Sequence, residues 1–198
     1  RYVAEQGVTS VHHMGTWDEL EVLARAHKAD RLRTRIYAAV PLNTWPRLAE
    51  TVKARTYGPE GRGDAWLRIG ALKGFVDGSL GSHTAMFEQP FADSPKDRGL
   101  WVNPPEKMYE WISGADKAGL HVMVHAIGDR AIGTLLDIYE RVGKEDGARD
   151  RRFRVVGVLG DSGRAIGFDL QELVLIPVST AQQIFNTESL FRILVQSG

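Results

Sequence analysis

Residues 67–85 read LRIGALKGFVDGSLGSHTA. The stretch 67–77 is a mostly apolar run broken by Arg68 and by one lysine, Lys73, and closed by an aspartate, Asp77. Glycine and small polar residues follow at once, which is turn chemistry. A strand over 67–77 is therefore expected. Side chains alternate along a strand, so Lys73, Phe75 and Asp77 should share one face. A lysine within a packed sheet is costly unless it is paired or neutralised. It can snorkel or form an ion pair, or it can belong to a site. In α/β barrels, catalytic groups gather at the carboxyl ends of strands, which is where Lys73 and Asp77 lie.

The rest of the chain supplies the frame. Further strands are expected at 8–12, 35–40 and 120–126, each followed by a segment of helical period. Thr16 and Glu19 form a capping-box pattern ahead of a stripe of Leu20, Leu23, Ala24 and His27. Trp45, Leu48, Ala49 and Val52 make a second stripe. Asn103 is placed to cap a third helix, with Pro104 in its first position and Glu106 in its third; its stripe is Met108, Trp111, Ile112 and Ala115. A fourth helix over 129–142 carries Ile132, Leu135, Leu136 and Tyr139. Residues 78–102 show no period, and a loop of that length inside a compact domain is usually functional or disordered. Strands alternating with helices imply parallel strands joined by crossover helices. A doubly wound sheet and a (β/α)8 barrel both fit.

From about residue 143 the pattern changes. A charged stretch at 144–152 leads to a strand-like run at 153–159, a glycine-rich loop at 160–167, an apolar run at 173–178, a short helix at 179–185 and a last strand at 190–195. This tail reads as α+β. Two domains are expected, 1–152 and 153–198. The chain opens within what reads as the end of a helix, as a fragment would.

Composition narrows the chemistry. Lys+Arg and Asp+Glu are equal at 25 each among 198 residues, so nothing electrostatic points to nucleic acid or an anionic membrane. There is no cysteine, which excludes disulfides and thiolate metal ligands. A metal site would have to use His, Asp, Glu or a modified Lys. No stretch is apolar for long enough to span a bilayer and no signal peptide is visible, so a cytoplasmic location is expected.

Period-two alternation puts His121, Met123 and His125 on one face, with His125 at the strand end. Lys73 and His125 could then converge from neighbouring strands. Neutral imidazole is the commonest metal ligand, but a hydrogen-bonded core histidine and a snorkelling lysine satisfy the same pattern.

The motifs add a resemblance. LKGFVDGSLGSHTA at 72–85 and VMVHAIGDRA at 122–131 resemble signatures of the amidohydrolase 3 family, a branch of the metal-dependent amidohydrolases. GVTSVHHMG at 7–15 and RIYAAVP at 35–41 resemble its earlier strands, in the right order. The resemblance implies a partial (β/α)8 TIM barrel containing strands two to five. It implies that Lys73 is a bridging, carboxylated metal ligand and that His125 holds the second of two divalent ions, zinc being expected. The reaction implied is hydrolysis of a C–N bond, amide or formamide in type, in a small-molecule substrate. Asp77 and the 78–85 loop would shape the substrate pocket, with Ser82 and His83 as hydrogen-bonding groups. Asp129 and Arg130 would form a structural pair or support the ligand from behind. Two departures limit the reading. His13 stands where the family usually has Asp, and is not expected to bind metal. The family's H-x-H pair would precede Arg1, and neither its later His nor its general-base Asp is identifiable. An incomplete, inactive and self-associating fragment is therefore expected.

The tail resembles a different family. RVVGVL at 154–159, VLIPVSTAQQIF at 174–185 and FRILVQ at 191–196 resemble the periplasmic core domain of macrolide-exporter-type ABC transporter permeases. A chimeric chain with a seam near Phe153 would explain this, and a strongly diverged barrel end is the alternative. The competing function is a non-enzymatic extracytoplasmic module of an exporter.

Overall fold

The structure is a computed structural model of the chain, and it describes residues 2–147. The chain divides into two compact units, Arg1–Arg151 and Arg152–Gly198. The described residues belong to the first. The expected tail elements, and the boundary at 152, lie outside them.

A short helix, α1 (Tyr2–Glu5), precedes four strand–helix steps: β1 (Ser10–Met14) to α2 (Trp17–Lys28), β2 (Arg35–Pro41) to α3 (Trp45–Lys53), β3 (Leu67–Phe75) to α4 (Pro105–Lys117), and β4 (His121–His125) to α5 (Asp129–Glu145). The strands form one sheet in the order β1-β2-β3-β4, every pairing parallel. This is the expected α/β arrangement. Successive parallel neighbours with a helix in each connection are the repeating step of a βα barrel.

Local chemistry sets the boundaries. Thr16 and Glu19 form the expected capping box, the Thr16 N–H donating to Glu19 Oε2 at 2.6 Å and the Glu19 N–H to Thr16 Oγ1 at 3.3 Å. Asn103 does not cap α4. Pro104 occupies that position without a side-chain bond, and the Asn103 amide instead donates to the Phe75 carbonyl at 2.9 Å. It ties the start of α4 to the end of β3.

One face of the sheet is covered. Ala38, Val40, Ile69, Leu72 and Val122 are buried there against Leu20, Leu48, Met108, Ile112, Leu135 and Ile138 of the helices, in a single apolar cluster. The other face carries His12, Met14, Tyr37, Lys73, Phe75, Met123 and His125, which are exposed or only partly buried. Within β3, Ile69 pairs with Ala38 and Ala71 with Ala39, so Gly70 is an extra residue in the ladder. Its φ of 148° suits glycine, and a side chain there would meet the Arg62 guanidinium. The bulge reverses the alternation. Leu67 and Ile69 face the helices, and Lys73 faces the opposite side.

Candidate active site

β2, β3 and β4 bring the candidate ligands to one face. Lys73 pairs with Met123 and Phe75 with His125. Lys73 and His125 therefore point the same way from neighbouring strands, two positions apart. Strand geometry puts their Cα atoms about 8 Å from each other. Phe75 fills the interval: Lys73 Nζ lies 4.4 Å from its ring centre, and its ring is 5.5 Å from that of His125. Lys73 is half-buried, and desolvation holds its ammonium below its ordinary pKa of 10.5.

Beside Lys73 is an open pocket of about 270 Å³ at the carboxyl ends of β1–β3. Met14, Pro41, Phe75 and Trp111 form its apolar walls, and Asn43, Asn103 and Lys73 supply polar groups. Such a lining, mostly apolar with a few placed polar groups, is typical of small-molecule sites.

His125 reaches backward. Its Nε2 is 2.6 Å from the Gly78 carbonyl oxygen and 3.6 Å from Asp77 Oδ1. Asp77 lies two residues beyond the end of β3 at Phe75, and Val76 between them is buried in the apolar cluster with Leu72, as continued alternation requires. Asp77 is 1% exposed. Its carboxylate accepts the N–H groups of Met86, Ile127 and Gly128 at 2.9, 3.0 and 2.8 Å. It ties the long loop to the turn before α5.

The 78–102 segment is ordered and folded on itself. Ser82 Oγ is 2.8 Å from Ser79 Oγ and 2.6 Å from Thr84 Oγ1. His83 stacks on Phe91 with ring centres 4.4 Å apart and meets Asp93 at 3.1 Å. Neither lines the pocket beside Lys73. The segment is latched to the start of α5, where Asp129 Oδ1 accepts the Glu88 N–H at 2.9 Å and Arg130 Nε lies 4.0 Å from Glu88 Oε1. Asp129 and Arg130 thus act as a clasp on the loop. His13 Nε2 lies 3.8 Å from Glu19 Oε2, against the cap of α2.

Sequence reasoning passed over a second row on the open face. His12 and Tyr37 rings are 5.3 Å apart, and the Tyr37 hydroxyl is 3.2 Å from His121 Nδ1. Aligning the alternation of β1, β2 and β4 would have found it. Among the described residues no group of three or more His, Cys, Asp or Glu side chains is placed to hold a metal ion. No helix among them is long and apolar enough to cross a membrane.

The Amidohydrolase family profile matches residues 1–174. The chain belongs to that family. The match continues past residue 152, where a second domain was expected to begin. Two curated relatives are similar to this amidohydrolase. The LONG AFTER FAR-RED 3 protein of Arabidopsis thaliana is 39% identical over 169 residues, covering 78% of this chain and 28% of that protein. YtcJ of Bacillus subtilis, named as a candidate amidohydrolase, is 37% identical over 86 residues, covering 43% of this chain and 16% of its own. Among solved structures, an uncharacterized metal-dependent hydrolase from Pyrococcus horikoshii superimposes with a TM-score of 0.61 at 30% identity, covering 71% of this chain and 28% of that one. A metal-dependent hydrolase from Pyrococcus furiosus gives 0.54 at 34% identity, covering 68% and 26%. The chain spans under a third of each relative.

Proposed function

We propose that this chain carries part of the site of a hydrolase that cleaves C–N bonds, of amide or formamide type, with metal-activated water. The observation that supports this most is Lys73. It is a half-buried lysine with a lowered pKa, sharing an open face with His125, and no carboxylate of the described residues is seen to pair with it.

The donors suit a metal only in part. A depressed pKa gives Lys73 more of the neutral amine that carbon dioxide can carboxylate, releasing one proton and leaving an anionic oxygen ligand. His125 has Nε2 turned to the Gly78 carbonyl, so Nδ1 is the atom left for a metal. Ligating histidines usually donate their other N–H in this way. These are two donors, and the described residues add no cluster of three. A bound divalent ion, with zinc proposed, would lower the pKa of its water to about 7 and polarise the carbonyl under attack. The chain's own part is to hold that ion, to present Asn43 and Asn103 to a polar substrate group, and to keep water away with Met14, Pro41, Phe75 and Trp111.

The test is zinc titration with labelled bicarbonate present, followed by assays on simple N-acyl and N-formyl compounds. Lys73→Ala and His125→Ala should each weaken zinc binding by about tenfold or more, and Lys73→Ala should remove a carbamate carbon signal. Zinc binding indifferent to both substitutions would sink the ligand assignment. The chain alone should turn over little substrate. Stoichiometric tight zinc with turnover abolished by Lys73→Ala would show that its ligand set is already sufficient.

A further inference from the structure

Two backbone segments meet at the carboxyl end of the sheet, and one carboxylate lies between them. Asp77 Oδ2 accepts N–H groups from Met86, in the long loop, and Gly128, in the turn before α5, while Oδ1 accepts that of Ile127. Burying a carboxylate is costly unless its oxygens are satisfied, and three amides do this. The next polar atom is His125 Nε2, 3.6 Å from Oδ1. The same nitrogen lies 2.6 Å from the Gly78 carbonyl. A carbonyl can only accept, so the 2.6 Å contact is a hydrogen bond only if Nε2 carries the proton. An unprotonated Nε2 would aim its lone pair at two oxygens.

We infer that Asp77 is a positioning residue. Its charge favours the Nε2–H tautomer of His125 and the ring orientation that goes with it, and the same carboxylate fixes the long loop to the β4–α5 turn. The long loop, the β4–α5 turn and the imidazole are thereby placed by a single group. The value of this for catalysis rests on the proposed ligand role of His125; the tautomer does not.

The test uses the metal-free full chain, at a pH where the ring is neutral, and reads the imidazole nitrogens of His125 and amide exchange by nuclear magnetic resonance. The expected result is one tautomer with the proton on Nε2, together with slow exchange at Met86, Ile127 and Gly128. Asp77→Asn should mix the tautomers and speed exchange at those three amides by about tenfold or more, since a hydrogen bond to a charged group is worth about 1.5–3 kcal/mol and every 1.4 kcal/mol is a factor of ten. Gly128→Ala should loosen the loop, because its methyl would overlap the Met86 carbonyl, yet leave the tautomer fixed. A wild-type His125 with its proton on Nδ1, or averaged between the two nitrogens, overturns the inference even if every variant fails to fold. So does a Gly128→Ala spectrum as mixed as that of Asp77→Asn, because loop docking would then be what holds the ring. None of these measurements needs zinc. A chain that binds no zinc leaves the inference standing, and a wrong tautomer leaves the zinc experiment to be judged by itself.

Discussion

Lys73 is destabilised by the surroundings that make it useful. Desolvation lowers its pKa below 10.5, so the fold disfavours the protonated form. That penalty is present in full below the folded pKa and disappears as pH rises towards 10.5. Lys73→Met should therefore raise the melting temperature of the metal-free chain, with the gain largest at neutral pH and fading in alkali; thermal melts across that range would check it. A gain that grew with pH would contradict the assignment. Lys73 and His125 were legible as a pair because alternation within each strand needs only local sequence. The partners of Asp77 were not legible in the same way. The three amides that hold Asp77 come from 9, 50 and 51 residues away in sequence, a distance over which no local pattern operates.

The elements follow their caps and turns closely, and their energetics can be tested one at a time. Asp64 opens β3: its Oδ1 accepts the N–H groups of Leu67 at 3.1 Å and Trp66 at 2.8 Å, and its carboxylate also meets His27 at 3.0 Å. Those backbone bonds, that of Leu67 foremost, hold its pKa below the ordinary 3.8. The stabilisation is present above 3.8 and is lost as pH falls through the lower folded value. Asp64→Ala should cost about 1 kcal/mol near neutrality, and urea melts should show the difference from wild type closing in acid. Gly128→Ala should cost about 1–3 kcal/mol by overpacking against the Met86 carbonyl. Urea melts on that variant would show whether the long loop is a cooperative part of the unit. The strands and helices were readable because their periods are strong. The order of the 78–102 segment was not, since it rests on Asp77, Asp129 and ring stacking between residues that no period relates.

Across the described unit, four strands have helices on one side and an open face on the other. Met14 is 51% and Phe75 43% exposed on that face. A net charge of zero supplies no mutual repulsion between copies. Sedimentation velocity should show concentration-dependent association, and Phe75→Asp should reduce it. A monomer at every concentration would mean that the open face is too small or too polar to drive pairing.

Gly70 has a further consequence for how the chain tolerates change. Odd-numbered residues before it, Leu67 and Ile69, face the helices, and odd-numbered residues after it, Lys73 and Phe75, face the open side, because the extra residue resets which side is which. Deleting Gly70 would let Ala71 follow Ile69 as Ala39 follows Ala38, so Leu72 would still face the helices and Lys73 the open side; deleting Leu72 instead would turn Lys73 into the apolar layer. A screen of single deletions along 67–75 should find Gly70 among the best tolerated positions and Leu72 among the most damaging.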